Sequence, residues 1–169
     1  EIAEGIAGFA GLPHRLQTVA KHSGISFVND SKATNGVAAA KALAAFDNVY
    51  WIAGGEAKED GLGEAAGETA TVAHAYLIGS AAQAFATELD GIVETSLSGD
   101  LETATTSAFA DASAATGTDG RHATILLSPA AASFDQFASF VARGDAFTNI
   151  ARRLTDDAGT AAVPGGAHA

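Results

Sequence analysis

The runs "VYWIA" (49–53) and "ATILL" (123–127) show no alternation of apolar and polar residues. A strand with one wet face alternates, whereas a strand apolar throughout needs both faces covered. The chain must therefore supply helices on both sides of a sheet, and its pattern offers them. "RLQTVAKH" (15–22) and "ISFVN" (25–29), separated by Ser23 and Gly24, read as a hairpin entering the sheet. A helical pattern follows over 36–46, then "VYWIA", the Gly-rich "GGEAKEDG" (54–61) and a short helix over 62–70. After these come "AYLIG" (75–79), a helix over 80–89, "GIVETS" (91–96), a helix over 100–115, "ATILLS" (123–128) and helical patterns across 133–154. Short strands alternating with helices predict an α/β fold: a doubly wound, mostly parallel, Rossmann-like sheet of about six strands, with an antiparallel strand from the N-terminal hairpin. The domain is expected to span 1–155. The segment 156–169, "DDAGTAAVPGGAHA", has no periodicity and reads as a flexible tail.

Size and charge narrow the function. A chain of 169 residues suits one domain with a sizeable core. Nine Lys plus Arg against 20 Asp plus Glu give a net charge of -11, which repels phosphate backbones and anionic lipid surfaces. Nucleic acid and membrane are therefore not expected partners, and the acidic surface suggests a monomer. There is no cysteine, which excludes disulfides, thiolate metal sites and a Cys nucleophile. No apolar run approaches the roughly 20 residues of a membrane span, and no signal peptide is visible, so the cytoplasm is the expected compartment.

In an open parallel sheet, ligands bind beyond the carboxyl ends of the strands. Three loops expected at that edge are rich in functional groups: "NDSKATN" (29–35), "GGEAKEDG" (54–61) and "SPAAAS" (128–133). Of four lysines, Lys32 and Lys58 fall in these loops, while Lys21 and Lys41 fall on a strand and a helix. Two cations at one rim of an acidic protein point to an anionic ligand. Each residue also has a purely structural reading. Asp30 can close an Asx turn, Thr34 or Asn35 can cap the next helix, and Ser133 with Gln136 spells the S-x-x-Q capping box. Lys58 alone would be a solvated charge. Convergence of several loops is what capping does not explain.

Other constellations fail. "GLGEAAG" (61–67) has the wrong second spacing for a dinucleotide fingerprint, and no phosphate-binding P-loop exists. His14, His22, His74, His122 and His168 are scattered without ligand spacing, so no metal site is expected from this chain alone. Ser128 and Ser133 lack the G-x-S-x-G elbow of a hydrolase.

In order along the chain, "GLPHR" (11–15), "NDSKATN", "GG" followed by Lys58, "LSPAAASFDQF" (127–137) and "RG" (143–144) resemble the C-terminal domain of the Mur ligases, the ATP-dependent amide-bond ligases of peptidoglycan synthesis. The resemblance covers about 9–154. "DSKATN" points to the members that add D-glutamate to UDP-N-acetylmuramoyl-L-alanine. What the resemblance implies is a mechanism in which ATP phosphorylates the alanyl carboxylate and the D-glutamate amine attacks the acyl phosphate. An N-terminal domain would hold the UDP portion. A central domain would carry the P-loop and most Mg2+ ligands. This domain would bind D-glutamate and close over ATP. By position in the matching motifs, Lys58, Thr34 and Ser133 would hold the D-glutamate carboxylates, with the backbone near Phe140 assisting and a helix N-terminus at Ser133 adding N–H groups. Arg15, Asp30 and Lys32 would lie on the nucleotide side. The family usually has Glu at the position of Gln17, and Cys is common at that of Ala131; neither is assigned to binding. The residues that generate the acyl phosphate are not in this sequence, so no catalytic residue is expected in the domain alone and the domain is expected to be inactive alone. A stand-alone module binding a dicarboxylate or nucleotide, and a partner-binding domain with merely capped loops, are the alternatives left by the residues themselves.

Overall fold

The computed structural model describes residues 12–56 and 59–161, the side chains at 118 and 119 excepted. The strands are β1 (Gln17–His22), β2 (Ile25–Asn29), β3 (Val49–Gly54), β4 (Val72–Ile78), β5 (Thr95–Gly99) and β6 (Ala123–Leu127). The helices are α1 (Gly36–Leu43), α2 (Ala82–Glu88), α3 (Leu101–Asp119) and α4 (Phe140–Ala161), with a 3-10 helix at Gly63–Gly67. The sheet runs β1-β2-β6-β3-β4-β5. Only the β1–β2 pair is antiparallel; the others are parallel. The expected α/β class, strand number and hairpin are all observed. Ser23 and Gly24 both have positive φ, 47° and 82°. That is the conformation of a tight hairpin turn whose twist matches its strands.

β3 and β6 are buried at every residue because they lie in the middle of the sheet. Trp51 and Leu77 pack on one face with Phe85 of α2, with Leu89 just after it and with Ala39 and Leu43 of α1. Ile52 and Tyr76 pack on the other with α3 and α4. Ala104, Ala108 and Ala112, one turn apart on α3, are all buried there, and their small side chains let the helix backbone approach the sheet closely. Asp100 caps α3 by accepting the Thr103 N–H at 2.8 Å, and Gly120 ends it in the left-handed conformation.

Several boundaries differ from the sequence reading. The segment expected as a helix over 62–70 is only the 3-10 helix Gly63–Gly67, because Gly61 and Gly63 take positive φ and interrupt a regular α-turn. β5 begins at Thr95, four residues later than "GIVETS" suggests. The helical stretch expected from 133 begins at Phe140. Ser139 takes the capping role, its hydroxyl accepting the Ala142 N–H at 3.1 Å, and Ser133 opens no helix. At the other end α4 runs to Ala161, so 156–161 of the expected tail are helical. A helix already nucleated elongates with one hydrogen bond per added residue and needs no apolar periodicity to do so. Residues 1–11 and 162–169 lie outside the described residues.

The connections position the site. β3, β4 and β5 are laid down outward, and the chain then returns through α3 to insert β6 between β2 and β3. The order reverses there, so the loops leaving β2, β3 and β6 open side by side at the carboxyl edge.

Candidate functional site

The loop after β2 is built around two side chains. The Asx turn belongs to Asn29, whose Oδ1 accepts the Ser31 N–H at 3.1 Å, rather than to Asp30. Asp30 instead reaches across the chain. One of its oxygens accepts the Leu16 N–H at 3.2 Å and the other accepts the Ser128 hydroxyl at 2.9 Å. This buried carboxylate therefore ties the segment before β1 to the exit of β6. Burial pushes its pKa above the ordinary carboxylate value, opposed by the Ser128 hydrogen bond, the Leu16 N–H and the Arg15 charge. The sign follows. A carboxyl group whose folded pKa is raised stabilises the fold fully below its unfolded pKa and loses that contribution as pH rises through the folded value. Relative to Asp30→Asn, the wild-type chain is expected to gain stability as pH is lowered from neutral to about 4, as urea titrations across that range would show. Asn35, the second capping candidate, is the one that caps α1, accepting the Ala38 N–H at 2.9 Å.

The three loops are hydrogen-bonded to one another, as their expected common edge requires. The Ala130 N–H donates to Ala33 O at 2.9 Å and the Gly54 N–H to Pro129 O at 2.8 Å. Glu56 and Ala132 exchange both backbone bonds, at 2.8 and 3.0 Å.

Beneath them lies Arg143, which sequence reasoning assigned no role. Its side chain is buried, and its guanidinium serves all three loops. Nε donates to Ser31 Oγ at 3.0 Å; Nη2 donates to Ser31 O at 2.9 Å and Ala131 O at 3.1 Å; Nη1 reaches Ala132 O at 3.3 Å and Gly54 O at 3.5 Å. Desolvation lowers its pKa to about 10, against the favourable charge of Asp135, so it remains a cation at neutral pH. The only signal in the sequence is its place in "RG". The glycine has its own reason: a Cβ at Gly144 would lie 2.2 Å from His14 Nδ1. That imidazole also meets the Asn29 amide nitrogen at 3.1 Å, and the same nitrogen donates to Gly144 O at 2.9 Å. Gly144→Ala is expected to destabilise the fold by about 1–2 kcal/mol, overpacking outweighing the helical preference for alanine. Adding His14→Ala should recover part of that loss, which a double-mutant cycle in denaturant would measure.

Beside the loops opens a cleft of about 840 Å³, walled by Arg15, Asp30, Lys32 and Lys41 and, among others, by Asp60 and Glu64. Residues 14–131 match the family described as the Mur ligase, glutamate ligase domain. The chain belongs to this family. Curated relatives called UDP-N-acetylmuramoylalanine--D-glutamate ligase match nearly all of it. The protein of Caulobacter vibrioides is 48% identical over 163 residues, covering 96% of this chain and 34% of the relative. That of Rhodospirillum rubrum is 48% identical over 165 residues, 98% of this chain and 34% of the relative. That of Rhizobium meliloti is 50% identical over 147 residues, 87% of this chain and 31% of the relative. The chain thus spans about a third of the length of the relatives it matches.

In this Mur ligase domain Arg15, Asp30 and Lys32, the residues expected on the nucleotide side, share the wall of one cleft. Those expected to hold D-glutamate are divided. Thr34 is half-buried on the loop after β2 and Ser133 is buried on the loop after β6, two loops joined at Ala33 and Ala130. Phe140 begins α4, and its carbonyl accepts the Ser31 hydroxyl at 2.8 Å. Its ring lies 4.3 Å beneath the Lys32 ammonium, so residues assigned to different ligands touch each other. Lys58 lies outside the described residues. Anionic phosphates suit the cations Arg15, Lys32 and Lys41 on the cleft wall. A magnesium ion needs several oxygen ligands, and among the described residues no group of three or more acidic or histidine side chains could hold one. Among the described residues, no helix is long and apolar enough to cross a membrane.

Proposed function

We propose that this chain is the D-glutamate-binding domain of a cytoplasmic, ATP-dependent ligase that adds D-glutamate to UDP-N-acetylmuramoyl-L-alanine in peptidoglycan synthesis. The observation that carries the proposal is the 48% identity to D-glutamate ligases over 96% of the chain. The site chemistry agrees with it. An amino dicarboxylate needs a compact cation and neutral hydroxyl donors, which Lys58, Thr34 and Ser133 offer. Backbone near Phe140 assists. The nucleotide would lie in the adjoining cleft against Arg15 and Lys32, with Asp30 holding the cleft wall through Leu16 and Ser128. In this scheme the domain binds and orients; ATP and Mg2+ supply the phosphoryl chemistry with the N-terminal and central domains of the full-length enzyme, which act as a monomer.

The test is reconstitution. The isolated chain is expected to form no amide from ATP, D-glutamate and UDP-N-acetylmuramoyl-L-alanine, whereas the same chain joined to the preceding domains forms it with release of phosphate. Ligation by the isolated chain, or a full-length enzyme indifferent to D-glutamate, would overturn the proposal.

A further inference from the structure

The loop that carries Ser133 has no regular secondary structure, yet it is fastened to three successive strand ends. At β3 the fastening is backbone to backbone, between Glu56 and Ala132. At β4 it is the Asp135 carboxylate, whose Oδ2 accepts the Ser80 N–H at 2.9 Å. At β5 it is Gln136, whose Nε2 donates to Gly99 O at 2.8 Å. The Ser133 carbonyl closes the turn from within, accepting the Gln136 and Phe137 N–H groups at 3.2 and 2.8 Å. The S-x-x-Q spelling therefore serves a strap across the sheet edge rather than a helix cap.

Two features separate this from ordinary surface hydrogen bonding. Asp135 and Gln136 are exposed, where such bonds contribute little to stability, and yet both side chains meet backbone atoms of different strands. Gly79, moreover, leaves room for one of them: a Cβ there would lie 2.2 Å from Asp135 Oδ2 and 2.9 Å from Gly55 Cα, so a side chain at 79 would crowd both the carboxylate and the backbone leaving β3.

We propose that Asp135 and Gln136 are positioning residues that hold the Ser133 turn, and with it the D-glutamate carboxylate subsite, in register with the loops after β2 and β3. The inference rests on the proposed role of Ser133 in D-glutamate binding. Neither side chain need touch the ligand. A hydroxyl bonds a carboxylate only within about 3 Å, and a displacement of about 1 Å loses the contact.

The experiment is steady-state kinetics in the full-length enzyme with D-glutamate and ATP varied separately, alongside thermal melts. Asp135→Ala and Gln136→Ala are each expected to raise KM for D-glutamate on the order of ten-fold, with KM for ATP unchanged and melting shifted by no more than a few degrees. Asp135→Asn keeps an acceptor for the Ser80 N–H and is expected to stay near wild type. Unchanged KM for D-glutamate in both alanine variants would overturn the proposal, as would a rise in both KM values in step with lost thermal stability. Ser133→Ala separates the two levels. If it raises KM for D-glutamate while the strap variants do not, only the strap fails; if it changes nothing, the reading of Ser133 fails and the strap with it.

Discussion

Replacing Arg143 with alanine is expected to cost about 3–5 kcal/mol of folding stability, the largest loss available from one side chain around this site. Its five hydrogen bonds end on one hydroxyl and four backbone carbonyls, drawn from the loops after β2, β3 and β6. Removing the guanidinium takes the donor from Ser31 O, Ala131 O and Gly54 O, while Ala132 O keeps the Glu56 N–H and the Ser31 hydroxyl keeps its bond to Phe140 O. Each buried orphan costs about 1–3 kcal/mol before any relaxation. Water entering the space would recover part of this, which keeps the sum below simple addition. Arg143→Lys should rescue little, since a single ammonium cannot reach a hydroxyl and four carbonyls that a planar fork spans. The three loops should loosen together, so in the full-length enzyme KM for D-glutamate and for ATP would both rise. Urea unfolding of the domain decides the matter. A loss below about 1 kcal/mol would mean that the loops hold one another without the guanidinium.

Arg143 also shows where a sequence stops being informative. Its partners are carbonyl groups, which every residue carries, so nothing in their spelling announces an arginine beneath them. Gly144 is similar: its reason is the close approach of the His14 ring across the fold, visible only once α4 is packed against the segment before β1. By contrast, the apolar runs "VYWIA" and "ATILL" called for the middle of a sheet covered by helices on both faces, and that is where β3 and β6 lie. Ser23-Gly24 and Asn35 were likewise legible, because hairpin turns and helix caps act through their own local chemistry. The S-x-x-Q motif was legible and misleading. Its residues satisfied a local pattern, while tertiary partners at Ser80 and Gly99 took the side chain of Gln136 and that of its neighbour Asp135. Asp30 went the same way, recruited by Leu16 and Ser128 from far along the chain while Asn29 closed the local turn. The common edge of the three loops followed from topology alone. Which side chains knit that edge together did not.

Lys58→Ala in the full-length enzyme is expected to lower kcat/KM for D-glutamate by about 2–4 kcal/mol, the cost of removing one partner of a desolvated charge pair. Its loop, "GGEAKEDG", holds three acids and this one base. Lys58 is the loop's one positive charge, so a dicarboxylate approaching the loop without it meets acids and no cation. Glu56 pairs with Ala132 through both backbone bonds, which joins the lysine's loop to the one that carries Ser133. Folding should hardly change, since the described start of the loop is held through backbone atoms, Glu56 on Ala132 and Gly54 O on Arg143, and not through the lysine. Lys58→Arg should recover little, because a planar fork does not fill the volume of a compact ammonium. Kinetics with D-glutamate varied, set beside a thermal melt, give the two readouts. A near-normal kcat/KM in the alanine variant would make Lys58 a solvated surface charge and would leave Thr34 and Ser133, both neutral, without a cation to hold the D-glutamate carboxylates.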